Sequence, residues 1–562
     1  MPMPMPILLP LLSAALTLAL AFAVAAPAAA APLAAPAPAP ATASAATEQR
    51  WLGRITTGEG PADKVEFRVR FTGALATRTG FISIPAQNIR DLPLSDLSVF
   101  DTKLRFTLLP AGSPVELASR FELDTQDWDR REASGTVITR GQGLPVAMRQ
   151  LAPNEFDQFG PKRPQTPIAP LPYPTREITV IVTPAVTLAG TLALPDPAKF
   201  PPPYTTAIFI TGSGPQDRDE TLFDHQPFFV IADALAKAGI ASLRCDDRGV
   251  GKSTGGSPAE TSDDFAKDVT AQMLLLATLP EIDPKRIGLI GHSEGAIIAP
   301  LVAQAAAKAK AARNAAAEAA SPRNAEMAEA LAKASPLAQT ATPGNITTPA
   351  APAPLGAPAP DIAFAVLIAA PGVSGESILL QQQRAILLAS GAPADFVEKL
   401  AAKQQLVMAA AARADRPAII AAMREMATLQ LGIESLETLR EGQLAALEAT
   451  LSQQADGLLA PWMQRFLSLD PAEPLRSLTC PVLVLAGSRD TQVPTALNIG
   501  PLMAALTEQA PPRAADVTLH VLPGLNHLMQ ESQTGAPTEY AQIEQTISPR
   551  ALEIIVRWMA QR

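Results

Sequence analysis

Gly291-His292-Ser293-Glu294-Gly295 is the segment of this 562-residue sequence whose residue types and spacing point most directly to chemistry. It follows the apolar run Ile287-Gly288-Leu289-Ile290 and precedes Ala296-Ile297-Ile298, so a strand ends in G-x-S-x-G and a helix begins at once. A turn this sharp strains the backbone of the central serine and lifts its hydroxyl above the sheet. Small residues at 291 and 295 let strand and helix approach. The chemistry implied is nucleophilic attack by Ser293 Oγ. Alone the pentapeptide is a weak signal, because Gly and Ser are common, and the strand-turn-helix setting makes it a strong one.

A serine hydroxyl is a poor nucleophile until a base removes its proton, and the base must be oriented by an acid. The chain has 4 histidines. His225 precedes a helix upstream of the serine, His292 adjoins the serine and is expected to point away from it, and His520 falls in mid-strand. His527, in Pro523-Gly524-Leu525-Asn526-His527 just after the final strand, is the candidate base. Cys480-Pro481-Val482-Leu483-Val484-Leu485-Ala486-Gly487 reads as the penultimate strand and runs into Ser488-Arg489-Asp490. Asp490 is therefore the candidate orienting carboxylate. Arg489 reads as a solvated loop charge, and Asp470 comes too early.

A tetrahedral oxyanion needs fixed N–H donors. The backbone of Glu294 supplies one candidate. Phe209-Ile210-Thr211-Gly212-Ser213-Gly214-Pro215 supplies the other, taken as Ser213 with Gly214 as the neighbour that could replace it. The charged run Gln216-Asp217-Arg218-Asp219-Glu220 is expected to form a local ion-pair network holding that loop, with a place at the site entrance as the alternative. Gly249-Val250-Gly251-Lys252-Ser253 imitates a phosphate loop, but the full pattern needs glycine where Asp246 stands, so no nucleotide site is implied. Asn345-Ile346-Thr347 matches a glycosylation sequon and carries no weight by itself.

The elements that must hold these residues follow from periodicity. Residues 178–182, 186–194, 206–210, 240–243, 287–290, 364–368, 482–485 and 517–522 read as strands, several of them continuous apolar runs suited to a buried parallel sheet. Segments 228–237, 263–279, 297 onward and 552–559 have helical spacing, which together describes a doubly wound sheet over residues 175–562. Two insertions interrupt it. Residues 305–360 are Ala-rich and then Pro/Thr-rich, helical only in their first part. Residues 374–469 are amphipathic helix broken by Gly391 and Pro393, a helical cap over the sheet's C-terminal edge. Upstream, residues 49–160 alternate as strands do, with Val65, Phe67, Val69 and Phe71 against Glu66, Arg68 and Arg70. They predict an all-β domain, either a packing accessory or a docking module, joined through a Pro-rich hinge at 161–174.

Composition limits the functions available. With 45 basic against 54 acidic residues the net charge is −9, and no Lys/Arg cluster offers a nucleic acid a basic face. Cys245 and Cys480 sit in strand segments and read as buried free thiols. No His/Cys/carboxylate cluster calls for a metal, and no organic cofactor is expected. Residues 1–30 read as a signal peptide, an apolar run at 7–26 ending in small residues, although MPMPMP lacks the usual positive charge; residues 31–48 read as an Ala/Pro linker. The expected location is secreted or periplasmic, or membrane-anchored if the leader is uncleaved. The mature chain is expected to have no stable membrane insertion, and its oligomeric state is not legible.

Taken in order, Gly212-Ser213-Gly214-Pro215-Gln216-Asp217-Arg218-Asp219-Glu220, Asp246-Asp247-Arg248-Gly249-Val250-Gly251-Lys252-Ser253, GHSEG and Leu525-Asn526-His527 resemble the bacterial α/β hydrolases described as serine aminopeptidase-like, a group that includes secreted carboxylesterases. The resemblance runs from about Thr175 to the C-terminus, and the all-β region resembles the accessory domain of some members. It implies an α/β-hydrolase fold with a helical cap, a Ser293-Asp490-His527 triad, an acyl-enzyme and an ester-like small-molecule substrate. The 305–360 insertion departs from the family pattern. A serine aminopeptidase or amidase is the alternative activity, with Glu294 or Asp219 as candidate anchors for an α-amino group. A non-catalytic binding protein is the alternative class.

Overall fold

The computed structural model describes residues 49–56, 64–72, 78–84, 89–100, 102–108, 118–125, 131–139, 142–152, 155, 162–319, 360–508 and 516–562. The expected leader and linker, the later part of the 305–360 insertion and the Asn345 sequon lie outside the described residues.

The N-terminal strands are β1 (Gln49–Thr56), β2 (Lys64–Thr72), β3 (Thr79–Ile84), β4 (Ile89–Pro93), β5 (Ser95–Phe100), β6 (Lys103–Leu108), β7 (Ser119–Asp124), β8 (Glu132–Thr139) and β9 (Gln142–Gln150). Among the described residues they form one antiparallel sheet in the order β4-β3-β2-β1-β9-β8-β7-β6-β5. The period-2 pattern is realised: Phe67, Val69 and Phe71 are buried while Glu66, Arg68 and Arg70 are not. Trp51, Phe106 and Phe121 join them, with the Phe106 and Phe121 rings stacked at 4.5 Å. From the hinge, the Arg163 guanidinium donates to the carbonyls of Phe223 (2.7 Å) and Ile543 (2.6 Å), tying the linker to the second domain.

The second domain carries β10 (Thr175–Thr183), β11 (Val186–Ala193), β12 (Tyr204–Ile210), α1 (Pro227–Lys237), β13 (Ala241–Cys245), α2 (Ser262–Leu276), β14 (Ile282–His292), α3 (Gly295–Ala319) and β15 (Ala365–Ile368). A helical excursion follows: α4 (Gly375–Ala389), α5 (Ala394–Ala412), α6 (Arg416–Leu431), α7 (Glu441–Leu459), α8 (Pro461–Ser468) and α9 (Ala472–Leu475). The chain then returns through β16 (Val482–Gly487), α10 (Thr495–Thr507), β17 (Val517–Leu522) and α11 (Pro549–Met559). Gly391 and Pro393 fall between α4 and α5, where the sequence places the break.

The strand order is β10-β11-β13-β12-β14-β15-β16-β17. From β13 to β17 every pairing is parallel, whereas β10 pairs antiparallel with β11 and β11 with β13. The expectation of a doubly wound sheet thus holds from β12 onward, and an antiparallel edge is added to it. Only Pro184 and Ala185 separate Thr183 from its partner Val186, too short a link for a parallel crossover. All seven residues of β12 and all four of β15 are buried, because helices cover both faces. One core unites α2, α3 and the cap with the sheet; the other packs α1 and α11 on the opposite face. The chain moves from β12 to β13 on one side and back across to β14 on the other. This order reversal puts a crevice at the carboxyl ends of β12 and β14.

Candidate active site

Ser293 directly follows β14 with φ 54°, a left-handed conformation that serine adopts only under constraint. The constraint is steric. A Cβ at Gly291 would collide with the Gly295 carbonyl, and one at Gly295 with the Ile210 carbonyl, so strand, turn and helix meet only because both positions lack side chains. The Ser293 N–H donates to Ile368 O at 2.9 Å, extending the ladder to β15 and locking the turn. The Ser293 hydroxyl makes no hydrogen bond with a described residue and faces a pocket that His527 also lines.

Asp490 and His527 come from the ends of β16 and β17 and meet there. Asp490 Oδ2 accepts from His527 Nδ1 at 2.8 Å, while Oδ1 accepts the N–H groups of Gln492 (2.9 Å) and Val493 (2.8 Å). Both side chains are almost fully buried. A carboxylate held from two sides aims its free oxygen at Nδ1, which leaves the lone pair of Nε2 on the pocket side.

The backbone N–H groups of Ser213 and Glu294 donate to no described residue, whereas that of Gly212 is taken by Glu220 Oε1 at 2.7 Å. Buried carboxylates fix the Ser213 loop. Asp247 accepts from Thr211 Oγ1 (2.9 Å) and from the Gln216 N–H (2.8 Å), and Asp246 clamps Arg218 through Nε (2.9 Å) and Nη2 (2.8 Å). Arg244 pairs with Asp219, and Arg248 with Asp268 and Glu260. The charged run is thus the ion-pair network the sequence suggests, and Arg244, Asp246 and Asp247, just before the segment that imitates a phosphate loop, are its other half. Glu220 is the exception, because it also lines the pocket.

Burial pushes the Asp247 carboxyl up to about 8, against the donors that favour its charge. A carboxyl raised on folding contributes stability that is full below its unfolded value near 4 and is lost as pH rises through about 8. Wild-type stability is therefore expected to fall between about pH 4 and pH 8, and Asp247→Asn to flatten that fall; urea unfolding across this range checks it. The Cys245 thiol, raised by burial, is inert, and Cys245 and Cys480 are both free and buried.

The other histidines fall into place. His225 is fully buried against Thr546 Oγ1 at 3.1 Å, and His520 lies in β17. His292 turns from the serine hydroxyl toward Glu220, yet its ring centroid is 4.8 Å from that of His527. Arg489 is exposed.

Glu294, buried beside the nucleophile, accepts Ser262 Oγ–H (2.7 Å) and Trp462 Nε1–H (2.8 Å) at Oε1. Burial pushes its carboxyl up despite these donors. Trp462 belongs to α8, which Arg465 pins to Asp263 at 2.6 Å. Trp462, Met463 and Phe466 then roof a pocket of about 80 Å³, with Ile378, Leu379 and Val493 on its walls. Sequence reasoning reached Glu220 only through the alternative that its charged run lines the entrance, and missed His292 and Trp462 as parts of the site. A charged loop residue and a tryptophan in an amphipathic helix carry no motif. Among the described residues no group of His, Cys, Asp or Glu could hold a metal, and no helix is long and apolar enough to cross a membrane.

Residues 226–350 match the family model described as serine aminopeptidase, S33. Among curated proteins, the esterase EstD of Thermotoga maritima is 26% identical over 198 residues, 34% of this chain and 44% of that protein, so the match spans less than half of the relative's length. Among solved structures, the esterase Pf2001 of Pyrococcus furiosus is 17% identical with a TM-score of 0.34, covering 69% of this chain and 92% of that one. The proline iminopeptidase of Mycobacterium smegmatis is 15% identical with a TM-score of 0.35, covering 69% and 98%.

Proposed function

We propose that this chain, an α/β-hydrolase by its sheet order and its family match, is a serine hydrolase that cleaves carboxylic esters with short apolar acyl groups. The observation that carries the reading is the convergence on one pocket of a strained Ser293, whose hydroxyl bonds to no described residue, with the Asp490–His527 pair. His527 Nε2 takes the Ser293 proton as Oγ attacks the acyl carbon, and Asp490 stabilises the imidazolium formed. The oxyanion settles against the N–H groups of Ser213 and Glu294. His527 then protonates the leaving alkoxide. In the second half it draws a proton from water, whose oxygen attacks the acyl-enzyme, and returns that proton to Ser293 Oγ as the acid leaves. Ser293 and His527 need no hydrogen bond before substrate is seated, since such contacts tighten on binding.

The apolar walls around Ser293, with Ile378, Leu379, Met463 and Phe466 among them, favour an ester over an aminopeptidase substrate. Glu220 and Glu294 are the acidic residues lining the pocket among the described residues, and both are held through Oε1: Glu220 by Gly212 and His292, Glu294 by Ser262 and Trp462. Asp219, the other sequence candidate, pairs with Arg244 instead. Each pocket carboxylate is oriented by its neighbours through Oε1, so an ammonium group would meet only Oε2. Turnover of p-nitrophenyl butyrate with none of aminoacyl anilides is the expected result; anilide turnover alone overturns the ester reading.

The 80 Å³ available is well below the roughly 150 Å³ that admits a benzene-sized guest. Acetyl and butyryl esters are therefore expected to exceed octanoyl esters in kcat/KM. Trp462→Ala removes the roof and is expected to shift the optimum to longer chains by about 10-fold in that ratio, since a single methylene in an apolar pocket is worth about 1 to 3 kcal/mol. A chain-length series on both proteins measures this. The apolar run at residues 7–26 supports a secreted or periplasmic location.

A further inference from the structure

We propose that Glu220 and His292 form a second buried carboxylate–imidazole pair that positions the reacting groups by tying the oxyanion loop to the loop that carries the base. This rests on the roles given above to Ser293, Asp490, His527 and Ser213.

Glu220 Oε1 receives the Gly212 N–H at 2.7 Å and His292 Nδ1 at 2.9 Å. His292 Nε2 in turn stands 3.1 Å from the carbonyl oxygen of His527. A carbonyl only accepts, so Nε2 carries a proton; the oxygen that already accepts from Gly212 also accepts from Nδ1, so Nδ1 carries one too. The bridge is complete only when His292 is an imidazolium. One bonded path then runs from Gly212, next to the Ser213 donor, through Glu220 and the residue preceding Ser293, to the backbone of the base itself.

Three features show a built arrangement. Glu220 (5% exposed) and His292 (7%) are sealed from water, where a lone charge would be costly. Glu220 is held at φ 51°, the left-handed region, which a residue keeps only when its surroundings over-determine it. The Gly212 backbone is pressed between Glu220 and the serine, since a Cβ there would lie 3.2 Å from Glu220 Oε1 and 3.3 Å from Ser293 Cβ.

The pair also sets an electrostatic condition. Burial works against charge on His292, but the Glu220 carboxylate and the His527 carbonyl outweigh it and hold the pKa above the ordinary histidine value. The titratable groups facing it are Glu220 from the loop after β12, Asp490 from the loop after β16 and His527 from the loop after β17; Asp247, at the end of β13, faces Glu220. When His292 loses its proton at high pH, an Nδ1 lone pair confronts the carboxylate and the bridge opens. Activity is then expected to show an alkaline limb set by His292. Removing the countercharge moves that limb to lower pH, and removing His292 abolishes it.

The test measures kcat, KM and their pH profiles for p-nitrophenyl butyrate in wild type, Glu220→Ala, Glu220→Gln and His292→Gln. Low-field proton NMR of the imidazole N–H region accompanies it. Glu220→Ala is expected to lower kcat by on the order of 10²-fold with KM little changed, the scale of a small misplacement of reacting groups. Glu220→Gln, which keeps an acceptor for Gly212, is expected to recover most of that loss at neutral pH with its alkaline limb displaced downward. A low-field resonance in wild type that disappears in both His292→Gln and Glu220→Ala is expected. That signal needs no substrate, and Glu220→Gln carries the comparison if the alanine variant does not fold. Absence of ester turnover in wild type overturns the functional reading. An unchanged kcat and pH profile in the Glu220 variants, or no Glu220-dependent resonance, overturns the positioning pair.

Discussion

Ser293→Ala is expected to lower kcat for p-nitrophenyl butyrate by on the order of 10⁵- to 10⁶-fold, the cost of removing a serine nucleophile from a working triad, and to abolish labelling by a fluorophosphonate probe. The same substitution is expected to leave stability within about 1 kcal/mol. The hydroxyl has no hydrogen bond to a described residue to lose, and alanine inherits the strained φ of 54° unchanged. Ser293→Gly separates the two effects. It is equally inactive, but glycine bears the left-handed conformation without a Cβ penalty, so its thermal unfolding is expected to show a gain of about 1 kcal/mol over alanine. Wild-type-like turnover or labelling in Ser293→Ala would mean that the reaction occurs elsewhere.

Asp490→Asn is expected to reduce kcat by about 10⁴-fold with little change in KM, and the local hydrogen bonds dictate why. Oδ1 accepts the N–H groups of Gln492 and Val493, so the amide oxygen of asparagine must stay on that side. Its NH₂ group is then turned to His527 Nδ1, which becomes an acceptor, and the ring proton moves to Nε2. A base with its proton on Nε2 cannot take another from Ser293. Nitrogen-15 shifts of His527 in wild type and variant report the tautomer directly. A variant with normal tautomer and normal kcat would remove Asp490 from the mechanism.

The parts of the site legible in the sequence are those whose chemistry is written in local pattern. The GHSEG turn is one, since strand, small residues and helix are neighbours in the chain and the φ of Ser293 follows from them. The loops after β16 and β17 are others, because continuous apolar runs mark where each strand stops and the first suitable carboxylate or imidazole follows. The same logic located β10 through β17 to within a few residues. It did not reveal the antiparallel edge at β10 and β11, which depends on which strands become neighbours.

What the sequence by itself determined was a set of residue types at strand ends: Ser293, Asp490 and His527, with Ser213 nearby, each readable because hydrophobic periodicity and turn chemistry act over a few residues. Tertiary structure alone decided which side chains are consumed by their neighbours. Glu294 is drawn to Trp462 from a cap helix 168 positions away, Asp219 is taken by Arg244, and Glu220 is bound to His292 across 72 positions. The physical reason is burial. A charge excluded from water must find a partner wherever the chain can bring one, and such partners are selected by three-dimensional proximity, which no local pattern encodes.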